Sequence, residues 1–176
     1  MSHRICRFAA LMLSPFLIAT VARAQGSDKA QAQHFVCHKG FTLARCQSRM
    51  GILRGVLNRY HADELGEWSW VLVRTTDWEE LLSVRGFDAR TPAFTYLPAH
   101  ETFFDDALTT RDSIRGMQLT MIWQLSIDEL LDKAVRHELA HAFCREKDEF
   151  KARVLEDRFR TQTPLVCGSA KHRQFQ

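Results

Sequence analysis

The segment from Ser126 to Cys144 constrains the fold of this chain more than any other. Ser126 and Glu129 have the spacing of a capping box, in which each side chain satisfies a free backbone N–H group at the start of a helix. Apolar residues then recur every three or four positions as far as Phe143. The pattern predicts a long amphipathic helix, whose apolar face must be buried against the rest of the fold.

This predicted helix carries the sequence His137-Glu138-Leu139-Ala140-His141, an H-E-x-x-H motif. The i, i+4 spacing places both imidazoles on one helix face, where their nitrogens can converge on one ion. Two imidazoles suit Zn²⁺, which lowers the pKa of a bound water to about 7. Glu138 is offset around the helix and can accept the proton of that water as a general base. The structural alternative is a pair of exposed histidines on a surface helix.

The motif helix resembles the active-site helix of the zincin metallopeptidases. The resemblance also covers an upstream strand and hairpin and a downstream acidic helix, roughly residues 68–160. It implies an α+β fold: a small zincin-like domain in which a short sheet and a hairpin pack on helices. The predicted hairpin, Pro92 to Ala107, would then border an extended peptide substrate.

The third metal ligand depends on which zincin subgroup the chain resembles. Metzincins continue with H-x-x-G-x-x-H, but Ala142 to Lys147 reads AFCREK and has neither the glycine nor the histidine. Glu149 to Ala152 instead looks like the E-x-x-A pattern of gluzincin-like families, without identifying a subfamily. The resemblance therefore implies Glu149 as the third ligand.

Geometry adds a condition to this assignment. In one unbroken helix Glu149 would lie about 12 Å along the axis from His141, too far to share an ion. The chain must therefore turn back between Cys144 and Asp148. Three other acidic residues remain alternatives as ligands: Asp148, Glu156 and Asp157.

Cysteine usage predicts two disulfide bonds in an oxidising compartment. Cys6 lies within residues 1–24, which resemble a cleaved export signal, and four cysteines remain after that segment. Of the three possible pairings, Cys37–Cys46 and Cys144–Cys167 close the shortest loops and are favoured. Cys144 as a thiolate metal ligand is the alternative, and an oxidising compartment favours the disulfide.

Residues 1–24 have the features of a secretory signal peptide. Arg4 and Arg7 precede an apolar run from Phe8 to Val21, and Ala22-Arg23-Ala24 matches an A-x-A cleavage site. The run is shorter than the approximately 20 residues of a membrane span, so no stable membrane insertion is expected after cleavage. We therefore expect cleavage after Ala24 and a periplasmic or secreted protein.

The charge balance changes when this segment is removed. The chain of 176 residues has 24 Lys and Arg against 21 Asp and Glu. The first 24 residues contribute three arginines and no acid, so the remainder is formally neutral. No nucleic-acid partner is therefore expected. We divide the chain into a signal peptide at 1–24, a disordered leader at 25–36 and a single domain at 37–176.

Periodicity and turn residues predict the remaining elements. Residues 110–124 fit either a helix or a strand. The others are a helix from Leu43 to Tyr60, a strand from Trp68 to Val73, a short helix capped by Asp77 and ending near Gly86, hairpin strands at Ala93–Leu97 and Thr102–Ala107, and a helix from Glu149 to Arg160 capped by Asp148.

Three hypotheses for function follow from the motif. The first is an exported zinc metallopeptidase that holds one Zn²⁺ through His137, His141 and Glu149 and cleaves a peptide or protein substrate. The second is a catalytically inactive zincin-like binding or regulatory protein. The third is a structural zinc domain, whose four protein ligands would leave no water on the metal. The substrate, the oligomeric state and the residue that stabilises the oxyanion are not predicted.

Overall fold

A computed structural model describes residues 33–167 of the chain. Within them it has a mixed α+β architecture of five α-helices and one four-stranded sheet. The strands are β1 (Gln33–Cys37), β2 (Trp68–Val73), β3 (Ala93–Tyr96) and β4 (Glu101–Asp105). The helices are α1 (Leu43–Arg59), α2 (Thr75–Arg85), α3 (Ile114–Trp123), α4 (Ile127–Cys144) and α5 (Glu149–Arg160).

The sheet has the strand order β1-β2-β4-β3. β2 pairs in parallel with β1 and β4, whereas β3 pairs antiparallel to β4 and lies at one edge. The predicted hairpin is present, although β4 ends at Asp105 and a short 3₁₀ helix takes residues Asp106–Thr109. An antiparallel edge strand thus lies beside the helices that pack on this sheet.

The sheet is covered on both faces. Alternate residues of β2 enter two separate apolar clusters: Trp70 and Leu72 pack with α1 and α4, whereas Val71 and Val73 pack with Trp78 of α2. A strand buried on both faces has a continuous apolar sequence, which explains the run from Trp68 to Val73. α4 lies in the larger cluster, where Val135 and Leu139 are fully buried.

The predicted disordered leader, residues 25–36, extends too far along the chain. Residues 33–36 belong to β1, which pairs with β2 from Gln33↔Trp68 to Cys37↔Leu72. Phe35 and Cys37 pack against the larger core, and the Gln33 side chain accepts a hydrogen bond from the Trp70 indole. The strand was missed because its partners are distant in sequence and its own apolar run is short. The predicted signal peptide and leader residues 25–32 lie outside the described residues.

Two further elements refine the prediction. The ambiguous segment 110–124 contains helix α3, capped by Ser113, whose side chain accepts a hydrogen bond from Gly116 N–H. α2 begins at Thr75, so the prediction that Asp77 caps it was wrong. Asp77 lies in the first turn, where it pairs with Arg74 at 2.9 Å. The helix ends as predicted at Gly86, whose φ of 73° suits glycine.

Both predicted disulfides are present. Cys37–Cys46 joins β1 to α1, and Cys144–Cys167 joins the last residue of α4 to the segment that follows α5. Cys144 is therefore not free to bind a metal as a thiolate. None of the helices among residues 33–167 combines the length and the hydrophobicity needed to cross a bilayer.

Candidate metal centre

The H-E-x-x-H motif lies in the last two turns of α4. The helix starts at the predicted capping box, in which Ser126 and Glu129 satisfy each other's backbone N–H groups. Leu139 and Ala140 are fully buried and fix the rotation of the helix on the core. This rotation turns His137 and His141 towards α5.

The two histidines and Glu149 converge on one point. The Nε2 atoms of His137 and His141 are 3.2 Å apart. The Glu149 carboxylate lies 3.0 Å from Nε2 of His137 and 3.5 Å from Nε2 of His141. Ligands at about 2.0–2.2 Å from a tetrahedral Zn²⁺ are about 3.3–3.6 Å apart, so the three side chains need only small shifts to hold one such ion.

The other ring nitrogen of each histidine has its own partner. Nδ1 of His141 lies 2.7 Å from the carbonyl oxygen of Glu146. A carbonyl only accepts, so Nδ1 carries the proton and Nε2 presents a lone pair. Nδ1 of His137 faces the Glu156 carboxylate at 3.4 Å, and a proton on Nδ1 would leave the Nε2 lone pair for a metal. Partners of this kind orient the histidines of metal sites.

Glu149 reaches the histidines because the chain turns sharply after α4. Arg145 ends the helix in the left-handed conformation with φ 48°, and the backbone N–H of Glu146 donates to the carbonyl of His141. α5 then begins at Glu149, with Asp148 as its N-cap. The turn between Cys144 and Asp148 that the sequence requires is therefore present.

The alternative ligands have other partners. Asp148 accepts a hydrogen bond from Lys151 N–H, and Asp157 pairs with Arg160. Glu156 contacts Lys133 and the Nδ1 side of His137, so it lies behind the ring and not with the converging Nε2 atoms. The structure thus groups Glu149, and none of these three acids, with the two histidines.

The electrostatics of the cluster favour a cation. Burial lowers the pKa of His137, but the carboxylates of Glu156, Glu138 and Glu149 outweigh it and raise this pKa overall. Burial tends to raise the pKa of Glu156, yet His137 and Lys133 bring it below its usual value. Negative charge thus surrounds the histidines on several sides.

Glu138 is almost completely buried, with 4% of its surface exposed. Its Oε2 accepts a hydrogen bond of 2.8 Å from the Thr95 hydroxyl on edge strand β3. Burial raises its pKa, and the two histidines and Thr95 only partly oppose this effect. Thr95 was missed in the sequence because strand alternation gives the face on which a residue lies but not the helix residue that it contacts.

A cleft of about 600 Å³ adjoins Glu138, within the usual range for a ligand site. Its apolar wall includes the partly exposed Ile122 and Trp123 at the end of α3, which the sequence did not single out. The remaining lining residues are Asp88, Arg90, Thr91, Pro92, Leu130, Lys133, Ala134, His137, Glu149, Arg153 and Glu156. The cleft therefore opens beside His137 and Glu138.

Tyr96 and His100 of the hairpin have partners outside this cluster. Tyr96 lies under the Arg85 guanidinium at 4.5 Å. His100 stacks on Trp68 at 5.3 Å and contacts the guanidinium of Arg145 at 2.8 Å. Neither joins the cluster of His137, His141 and Glu149.

No protein-family model matches this sequence, and no curated protein matches it.

Proposed function

We propose that this chain is a zinc-dependent metallopeptidase of the zincin type, gluzincin-like in its third ligand. The observation that carries the proposal is the convergence of His137 Nε2, His141 Nε2 and the Glu149 carboxylate within 3.0–3.5 Å. Two imidazoles and one glutamate are the protein ligands of known catalytic zinc sites, which keep a further position open. An antiparallel edge strand and a cleft beside the motif support the same interpretation.

Zinc held by these three residues would supply Lewis-acid chemistry, polarising a carbonyl and lowering the pKa of a water. Glu138 is the residue that moves the proton. It lines the cleft next to His137 but is not among the converging side chains, so it can accept a proton from the attacking water and pass it to the leaving amine.

We further propose that the protein is exported and acts in the periplasm or outside the cell. The support is the signal-like sequence at residues 1–24 and the two disulfides, which persist in oxidising compartments. The substrate would be a peptide or protein bound in extended form beside β3.

Substitution of Glu138 by glutamine tests the proposed reaction. The amide preserves the size of the side chain but cannot accept a proton, so hydrolysis should fall by about 10²–10⁴-fold while one zinc ion per chain is retained. The assay is cleavage of a peptide library by wild type and Glu138→Gln at equal zinc content. Glu64→Gln, in the exposed part of the short 3₁₀ helix Ala62–Leu65, is the control for the same chemical change and should behave like wild type.

The outcomes separate the hypotheses. Equal rates for wild type and Glu138→Gln would exclude Glu138 as the base. A wild-type protein that holds zinc but cleaves no library member would contradict the peptidase proposal and favour the binding or regulatory protein. Stoichiometric zinc in both His137→Ala and His141→Ala would contradict the metal site itself.

A further inference from the structure

A chain of side-chain hydrogen bonds crosses the sheet and ends on Glu138. The Trp68 indole N–H on β2 lies 3.0 Å from the Thr102 hydroxyl on β4. The Thr102 hydroxyl lies 3.0 Å from the Thr95 hydroxyl on β3. The Thr95 hydroxyl lies 2.8 Å from Oε2 of Glu138 on α4. Four elements are thus linked to one carboxylate oxygen.

The chemistry of its two ends fixes the direction of this chain. An indole N–H can only donate, and a carboxylate can only accept. Thr102 therefore accepts from Trp68 and donates to Thr95, which in turn donates to Glu138. Each hydroxyl in such a chain polarises the next one, so the last hydrogen bond is strengthened by those before it.

The side chains that form these hydrogen bonds are also held rigidly. Thr95 and Thr102 are direct partners in the β3–β4 register, so the sheet itself sets the distance between their hydroxyls. Thr102 is fully buried and Trp68 is 2% exposed. β-branched side chains are restricted at χ1, which holds the Thr95 hydroxyl in one orientation. The hydroxyls of Thr95 and Thr102 lie beside an otherwise apolar core, and polar groups in such a place need an explanation beyond packing.

The inference that follows rests on the proposed function. We infer that Thr95, supported by Thr102 and Trp68, is a positioning residue that holds Oε2 of Glu138 as an acceptor and leaves Oε1 for proton transfer. No residue among 33–167 hydrogen-bonds Oε1, and Glu138 lines the cleft. Without the Thr95 hydroxyl the carboxylate could rotate, and its reacting oxygen would lose its fixed place.

Thr95→Val tests this role, because valine keeps the branched shape and removes the hydroxyl. We expect kcat for peptide cleavage to fall about 10- to 100-fold, as misplacement of a catalytic group does, with KM within a factor of two of wild type. Zinc content should remain at one per chain. Thr95→Ser retains the hydroxyl and should restore most of the lost kcat.

Two further variants separate positioning from loss of structure. Thr109→Val removes another buried threonine hydroxyl, one that donates to the Asp106 carbonyl away from the cleft, and should leave kcat unchanged. Thr102→Val removes the hydroxyl that donates to Thr95 but leaves the Thr95 hydroxyl on Glu138, so it should lower kcat less than Thr95→Val does. Circular dichroism and zinc content of all variants report on the fold and the metal site.

Different experimental outcomes would contradict the positioning role of Thr95 and the proposed peptidase function. An active wild type with equal kcat for Thr95→Val would overturn the positioning role alone, as would a Thr95→Ser variant no better than Thr95→Val. A wild type that cleaves no peptide would overturn both. An equal drop for Thr109→Val would show that the loss of kcat comes from general destabilisation and would also overturn the positioning role.

Discussion

Each candidate histidine ligand owes its orientation to residues that follow α4 in the chain. The carbonyl of Glu146 holds Nδ1 of His141, and the carboxylate of Glu156 faces Nδ1 of His137. Glu156 is itself held by Lys133 at 3.0 Å. At the scale of single residues, the two glutamates of α5 therefore differ: Glu149 is a candidate ligand, and Glu156 is a partner of the candidate ligand His137.

This separation predicts unequal effects on zinc affinity. Glu149→Ala removes one of three protein ligands and should weaken zinc binding far more than Glu156→Ala does. Loss of a histidine partner typically costs 10–100-fold in metal affinity, which is the effect expected for Glu156→Ala. Competition with a chelator measures both.

A third variant completes this comparison. Asp157→Ala, on the exposed side of α5, is the matched control and should bind zinc like wild type. A larger loss for Glu156→Ala than for Glu149→Ala would place Glu156 on the metal instead.

At the scale of elements, the pairing of α4 with α5 decides whether a site forms at all. The sharp turn at Arg145 brings the start of α5 back to His141, and Cys144–Cys167 closes the segment that contains both glutamates. A cross-link over 23 residues removes conformational freedom from the unfolded chain and restricts the separation of the two helices.

Removal of this disulfide should therefore loosen the metal site. We expect the Cys144→Ser, Cys167→Ser double variant to lose about 3 kcal/mol of unfolding free energy and to bind zinc more weakly. The Cys37→Ser, Cys46→Ser variant is the control. It should also lose stability, but its zinc affinity should be unchanged, because β1 and the start of α1 do not contact the cluster. Equal zinc affinity in both variants would show that packing alone holds α5 in place.

At the scale of the whole molecule, the candidate site lies where three parts of the fold meet. α4 supplies the two histidines, α5 supplies the Glu149 carboxylate, and edge strand β3 supplies the hydroxyl that donates to Glu138. The unfolded chain has no such arrangement, so an ion that binds at the site must stabilise the native state.

Zinc should accordingly raise the thermal stability of the wild type. Free zinc at 100 times its dissociation constant adds about 2.7 kcal/mol to the free energy of unfolding, and a chelator should reverse the effect. Calorimetry of the metal-free and zinc-loaded protein measures the difference. His137→Ala should show almost no zinc-dependent shift, whereas His100→Ala, outside the cluster, should keep it. A shift of equal size in His137→Ala would mean that zinc binds elsewhere.

The sequence alone determined the elements whose signals are local. The capping box and the 3.6-residue period located α4, the apolar run located β2, and Asp148 marked the start of α5. Short loop closure also favoured the two disulfides that the structure contains. In each case, the pattern that indicates the feature lies in residues close together along the chain, even though β2 itself pairs with distant strands.

Only the tertiary structure decided which distant groups meet. It made residues 33–36 a strand, because β2 supplies the backbone partners that those residues lack on their own. It placed Glu149 with the histidines and Glu156 behind one of them, and it set Thr95 against Glu138 across 43 positions of sequence. Such contacts depend on the packing of α4 against the sheet and α5, and helical period or strand alternation reveals only the face on which a residue lies.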